Sequence, residues 1–116
     1  MQIQSLTEFE NTVQKEWLGS TVKVTKADAA LAIEMRLNDA RVIDWEDVED
    51  GIKEKYPRDS KFFVFSGKSI RPNALMDRDT PCAVVVHVDG ETTYDVRPHR
   101  LVIVSDEEVV QVSQVH

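Results

Sequence analysis

The sequence predicts an α+β fold, with two amphipathic helices in the N-terminal half packed on a mostly antiparallel β-sheet, a meander, from the C-terminal half. Two observations carry this reading. Apolar residues recur three or four apart in two stretches before Pro57, and Val, Thr and aromatic residues dominate after it. The 116 residues contain no internal repeat and no Gly/Ser-rich linker, so residues 1–116 are expected to form a single domain.

The first helix is expected over Leu6–Leu18, where Leu6, Phe9, Val13 and Trp17 make one apolar stripe. Ser5 and Glu8 stand at capping-box spacing, and Gly19 can take the left-handed turn that stops the helix. Residues 21–37 carry conflicting signals. Ala, Leu, Met, Glu and Arg favour helix, yet Leu31, Ile33, Met35 and Leu37 alternate as in a strand. As a helix these side chains would spread over more than half the circumference, with Glu34 in the middle of the apolar sector. We therefore favour a hairpin, Thr21–Thr25 followed by Ala29–Leu37, over a helix starting at Thr25 and Asp28.

A second helix is expected after the N-cap Asp44, because Trp45, Val48, Ile52 and Tyr56 recur at helical spacing before Pro57. Ile43 and Val48 occupy the staple positions, while Gly51 weakens the helix interior. Trp17 and Trp45 are each expected to anchor a helix in one shared core. Strands follow at Lys61–Phe65, Cys82–Val88, Thr92–Val96, Leu101–Val104 and Val109–Val115. Asp89-Gly90 is a hairpin signal. A three-residue loop with Gly90 in a bulge would set Val86 beside Thr92, Val84 beside Tyr94 and Cys82 beside Val96. Arg97-Pro98-His99-Arg100 turns the chain into the next strand.

Composition bounds the function. Fourteen basic against 21 acidic residues give a formal charge of −7, which disfavours nucleic acid and anionic membranes and favours a basic protein partner. Cys82 is the only cysteine, so an intramolecular disulfide is excluded and a reducing compartment fits. The N-terminal residues lack the pattern of a secretory signal and no apolar run is long enough to span a bilayer, so a cytoplasmic location is expected.

Asp44, Glu46, Asp47, Glu49 and Asp50 put five carboxylates into seven residues at the start of the second helix. The helix dipole favours them there, and they also offer a negative patch to a cationic protein surface. The run does not have the alternation of a calcium loop. Gly67-Lys68-Ser69 matches the end of a phosphate-binding loop in letters only, since Phe62 stands where that motif needs its first glycine; a hairpin turn is the expected role. The long connection 67–81 holds Arg71, Asp77, Arg78 and Asp79, residues able to orient a small ligand or simply to pin a loop. His87, His99 and His116 lack metal-ligand spacing, and Arg97, His99 and Arg100 form a local cationic cluster.

No catalytic set, metal site or cofactor motif emerges. The expectation is a non-enzymatic binding or regulatory protein presenting the acidic helix to a basic partner, as inhibitors, immunity-type proteins and charge mimics do. The rival is a small-molecule-binding domain, or an enzyme, with a pocket between the sheet and the 67–81 connection, using Arg71, Arg78 and Tyr94. The uncharged, β-prone segment Val109–Val115 is a candidate sheet edge for pairing with a second copy as a homodimer.

Overall fold

The computed structural model describes residues 2–3, 5–27, 31–70 and 79–115. In chain order they form β1 (Gln2–Ile3), α1 (Leu6–Glu16), β2 (Thr21–Lys26), β3 (Leu31–Asp44), a 3-10 turn (Trp45–Asp47), α2 (Asp50–Lys53), β4 (Lys61–Ser69), β5 (Pro81–Val88), β6 (Thr93–Arg97), β7 (Arg100–Val104) and β8 (Val109–Gln114). The eight strands make one antiparallel sheet in the order β1-β6-β7-β8-β2-β3-β4-β5.

The sheet is rolled, and the chain itself requires it. Laid flat, β5 and β6 would stand six strand spacings apart, about 29 Å at the usual interstrand distance. The connection from Val88 to Thr93 has only five Cα steps, which reach at most about 18 Å. Phe9 of α1 records the same closure: its ring lies 4.5 Å from Tyr94 on β6 and 5.0 Å from Phe63 on β4. One helix thus fills the interior of the roll, with Phe9, Val13 and Trp17 buried among inward residues from seven strands and Ile3 of β1.

The roll is made possible by β3. Its first half turns Ile33, Met35 and Leu37 inward while pairing with β2; its second half turns Ala40 inward while pairing with β4. The switch from odd to even positions takes place at a bulge between Leu37 and Asp39, which uses one extra residue and bends the strand. Beyond the bulge β2 no longer runs alongside, so the backbone of β3 needs other partners on that side. Two α1 side chains one turn apart provide them. The Gln14 amide donates to the Ala40 carbonyl (2.9 Å), and the Val42 N–H donates to the Glu10 carboxylate (2.6 Å).

Several expectations hold. Ser5 caps α1 by accepting the Glu8 N–H (3.3 Å), Gly19 has φ of +89°, and residues 21–37 form the hairpin, its 28–30 turn lying outside the described residues. The β6–β7–β8 meander also forms, with Pro98 and His99 as a two-residue loop.

Others need correction. The second amphipathic helix is replaced by a 3-10 turn and a four-residue α2, because Val48 and Glu49 are extended and break the run. Trp45 therefore does not share the core of Trp17. The Asp89-Gly90 turn is a corner between opposite ends of the sheet rather than a hairpin, so Val84, Val86 and Cys82 pair with β4 and not with β6. The Asp89 side chain builds that corner by accepting the Glu91 N–H (2.8 Å) and the Thr92 hydroxyl (3.2 Å). Gly67-Lys68-Ser69 continues β4 instead of turning. Finally, β8 lies between β7 and β2 with both edges paired, which removes the basis for a homodimer through Val109–Val115.

Candidate functional site

The carboxylates singled out in the sequence stay together on the surface. Asp44 ends β3 and meets the Lys61 ammonium at 3.1 Å; Glu46 and Asp47 follow on the 3-10 turn, Glu49 at the N-cap of α2 and Asp50 at its start, all exposed. What holds this segment in place is apolar. The outer face of β4 and β5 carries Phe62, Val64 and Val85, and the segment lays Val48 and Tyr56 over it, burying Phe62 to 1% and Val48 to 7% exposure. Trp45 locks the fold-back by donating its indole N–H to the carbonyls of Lys53 and Tyr56, both at 3.1 Å. Its ring is covered by the Lys53 ammonium at 5.2 Å and the Arg58 guanidinium at 5.8 Å.

The cover is incomplete. Between the segment and the outer face of β3, β4 and β5 runs a groove of about 740 Å³, with Ile43, Val48, Ile52, Val64 and Val85 among its walls. Asp47 and Glu49 stand on one side and Lys68 on the other. Cys82 also reaches it; burial raises the pKa of this thiol, so it is a poor nucleophile.

A second cluster lies beside the groove. Tyr56 donates its hydroxyl to Glu107 (2.9 Å), stacks on the His87 imidazole (4.3 Å between centroids), and His87 Nδ1 is 3.7 Å from the other Glu107 oxygen. Burial, then Glu107, pushes the Tyr56 pKa up to about 12. Lys26 completes the cluster by donating to the Val85 carbonyl (2.7 Å) and approaching Glu108 at 3.5 Å. That bond caps part of the free edge of β5, which Pro81 protects at its start. The arrangement ties the β7–β8 turn to β5 and suits a structural latch.

Tyr94 does not join the 67–81 connection. It is 1% exposed, stacked on Phe9, and lines a cleft of about 540 Å³ at the β5–β6 corner, near the start of β4 and the end of β5. The connection leaves from the other ends of those strands, where Ser69, Asp79 and Thr80 clasp each other through two backbone bonds and the Thr80 N–H donating to the Ser69 hydroxyl. Arg71, Asp77, Arg78 and His116 lie outside the described residues. In the cationic turn, Arg97 donates to Asp95 at 3.1 Å and holds that carboxyl below its ordinary pKa, while His99 shares a hydrogen bond with Gln114 (2.9 Å). The positive charge of this turn is thereby partly matched.

Among the described residues no group of three or more His, Cys, Asp or Glu side chains is placed to hold a metal ion, and no helix is long and apolar enough to cross a membrane. No protein-family model matches this chain, and no curated protein or solved structure is significantly similar to it.

The groove was the feature sequence reasoning missed. Its signal was present in Phe62-Phe63-Val64-Phe65, a run without alternation, which marks a strand covered on both faces.

Proposed function

We propose that this protein is a non-enzymatic binding protein whose acidic segment, Asp44 to Asp50, receives a cationic and partly apolar segment of a protein partner. The observation that carries the reading is the 740 Å³ groove, which combines an apolar floor with the carboxylates of Asp47 and Glu49 at its margin. Glu46 extends the negative field along the same segment, Asp44 and Asp50 continue it although each has a lysine beside it, and the overall charge of −7 adds to the attraction at a distance. Apolar contact then supplies affinity, and the charges supply steering and choice of partner. Lys68 on the opposite margin favours an occupant whose positive charges gather on the Asp47 side.

The test is capture from native lysate at low and moderate salt, followed by crosslinking and mass spectrometry. The expected result is one basic protein crosslinked at residues 45–52. Its association should slow roughly tenfold or more when Glu46, Asp47, Glu49 and Asp50 become Gln or Asn, and the difference should shrink as salt rises. Unchanged kinetics in that variant, or crosslinks confined to other faces, would refute the proposal.

A further inference from the structure

We infer that the cleft at the β5–β6 corner, floored by Tyr94 and bordered by Asp59 and Asp89, is a binding site for a small alkylammonium compound. This site is independent of the groove and lies across the sheet from the acidic segment's apolar floor: Tyr94 belongs to the inward face of the roll, Val64 and Val85 to the outward one.

The starting observation is an orphaned polar group. The Tyr94 hydroxyl is buried with no hydrogen-bond partner, although a buried phenol nearly always finds one. Strand alternation fixes where it ends: Tyr94 faces inward from β6, its ring is held against Phe9, and the side chain forms part of the cleft wall. The hydroxyl itself exposes less than 1 Å², so a ligand in the cleft reaches it through a small shift of the wall around Tyr94.

The lining selects the ligand. Asp59 and Asp89 bring two carboxylates to the cleft, whereas the Lys61 ammonium that also lines it is 3.1 Å from Asp44 and the His87 imidazole, a further lining group, has its Nδ1 3.7 Å from Glu107, so both face carboxylates outside it. Asp89 is held rigidly, because its Oδ1 accepts both the Glu91 N–H and the Thr92 hydroxyl, and Oδ2 takes neither of these bonds. Leu6, Pro57 and Val88 form apolar wall suited to a methylene chain. The phenol stays neutral across the working range, since burial and then Asp89 push its pKa up to about 12; its oxygen can therefore accept an ammonium N–H. The positive end of the α1 dipole reaches the cleft through Leu6, but Glu8 in the first turn opposes it. Negative charge, an uncharged acceptor and an apolar wall together fit an alkylammonium ion rather than a carboxylate or a phosphate.

The probe is 1,4-diaminobutane titrated into the full chain, with backbone amide NMR shifts as readout. Saturable shifts at residues 59–61 and 87–94 are expected, weakening with salt, and none from butan-1-ol or succinate at the same concentration. Tyr94→Phe removes only the hydroxyl and should weaken binding about tenfold, the size of one hydrogen bond to a charged group. Asp59→Asn, at an exposed position, should weaken it several-fold and serves if Tyr94→Phe fails to fold. Asp47→Asn with Glu49→Gln should leave it unchanged, which separates this site from the groove. Absence of saturation at millimolar diamine, equal binding by Tyr94→Phe or Asp59→Asn, or tighter binding of succinate would each overturn the inference.

Discussion

Gly67 shows how much of the fold can hang on one missing side chain. It sits in β4 opposite Leu37, next to the bulge that bends β3, and a Cβ there would be driven into the Arg36 carbonyl oxygen, with the carbonyl carbon at 2.9 Å. Both obstacles are backbone, so no rotamer change relieves them. Gly67→Ala is expected to cost roughly 3 kcal/mol, near the upper end for overpacking, by forcing β4 away from the bend. Gly51→Ala is the control: nothing lies within 4 Å of the new methyl, and the residue is helical, so a gain of up to about 1 kcal/mol is expected. Urea denaturation of both variants checks the pair. A Gly67→Ala variant as stable as the parent would mean that the close approach at the bend is not needed. Sequence reasoning assigns this glycine a different role because Gly-Lys-Ser reads locally as a turn; only the strand pairing at Leu37 reveals the steric demand.

At the scale of the element, local patterns are legible when one element buries one face against one partner. The stripe of α1 and the alternation of β2 and the first half of β3 satisfy that condition and form where the pattern places them, although β3 runs on past the expected end at Leu37 to Asp44. The stretch after Asp44 does not satisfy it. Trp45, Val48, Ile52 and Tyr56 have helical spacing, yet Val48, Ile52 and Tyr56 line the outer face of β4 and β5 as a bent cover, with Val48 in an extended conformation, while Trp45 closes the cover on itself. Spacing records which residues seek burial, and several backbone paths can bring the same side chains to one surface. The two tryptophans test this distinction. Trp17 is 2% exposed in the central core, and Trp17→Ala should cost about 3 to 5 kcal/mol. Trp45 is partly exposed and closes two carbonyls, so Trp45→Ala should cost only about 1 to 2 kcal/mol. Equal losses in chemical denaturation would show that the cover and the core unfold as one unit of equal density.

At the scale of the whole molecule, sequence patterns are silent about which strands are neighbours. The Asp89-Gly90 signal is real as a turn, but it joins opposite ends of a rolled sheet, and Asp89 and Thr92 hold it locally whichever strands flank it. The topology places a heavy demand on β8. Strands β1, β6 and β7 lie on one side of it and β2, β3, β4 and β5 on the other, so among the described strands β8 alone joins the two groups by ladder pairing. Its Val110 and Val112 are fully buried in the shared core. Without them, β2 and β7 would face each other across a missing strand, about 10 Å apart. The α1 ring contacts to Phe63 and Tyr94, the Asp89–Thr92 corner and the Glu107 latch would then have to hold the two groups together without a continuous sheet. A chain shortened to residues 1–108 is therefore expected to lose cooperative unfolding and amide protection throughout, including in β4 and β5, which β8 does not pair with. Val112→Lys should act similarly, unfolding the chain because it buries an unpaired charge in the core inside the roll. Hydrogen exchange on the shortened chain decides the matter. Retention of full protection in the β3–β4–β5 group would mean that this group folds by itself and that β8 is an addition to it.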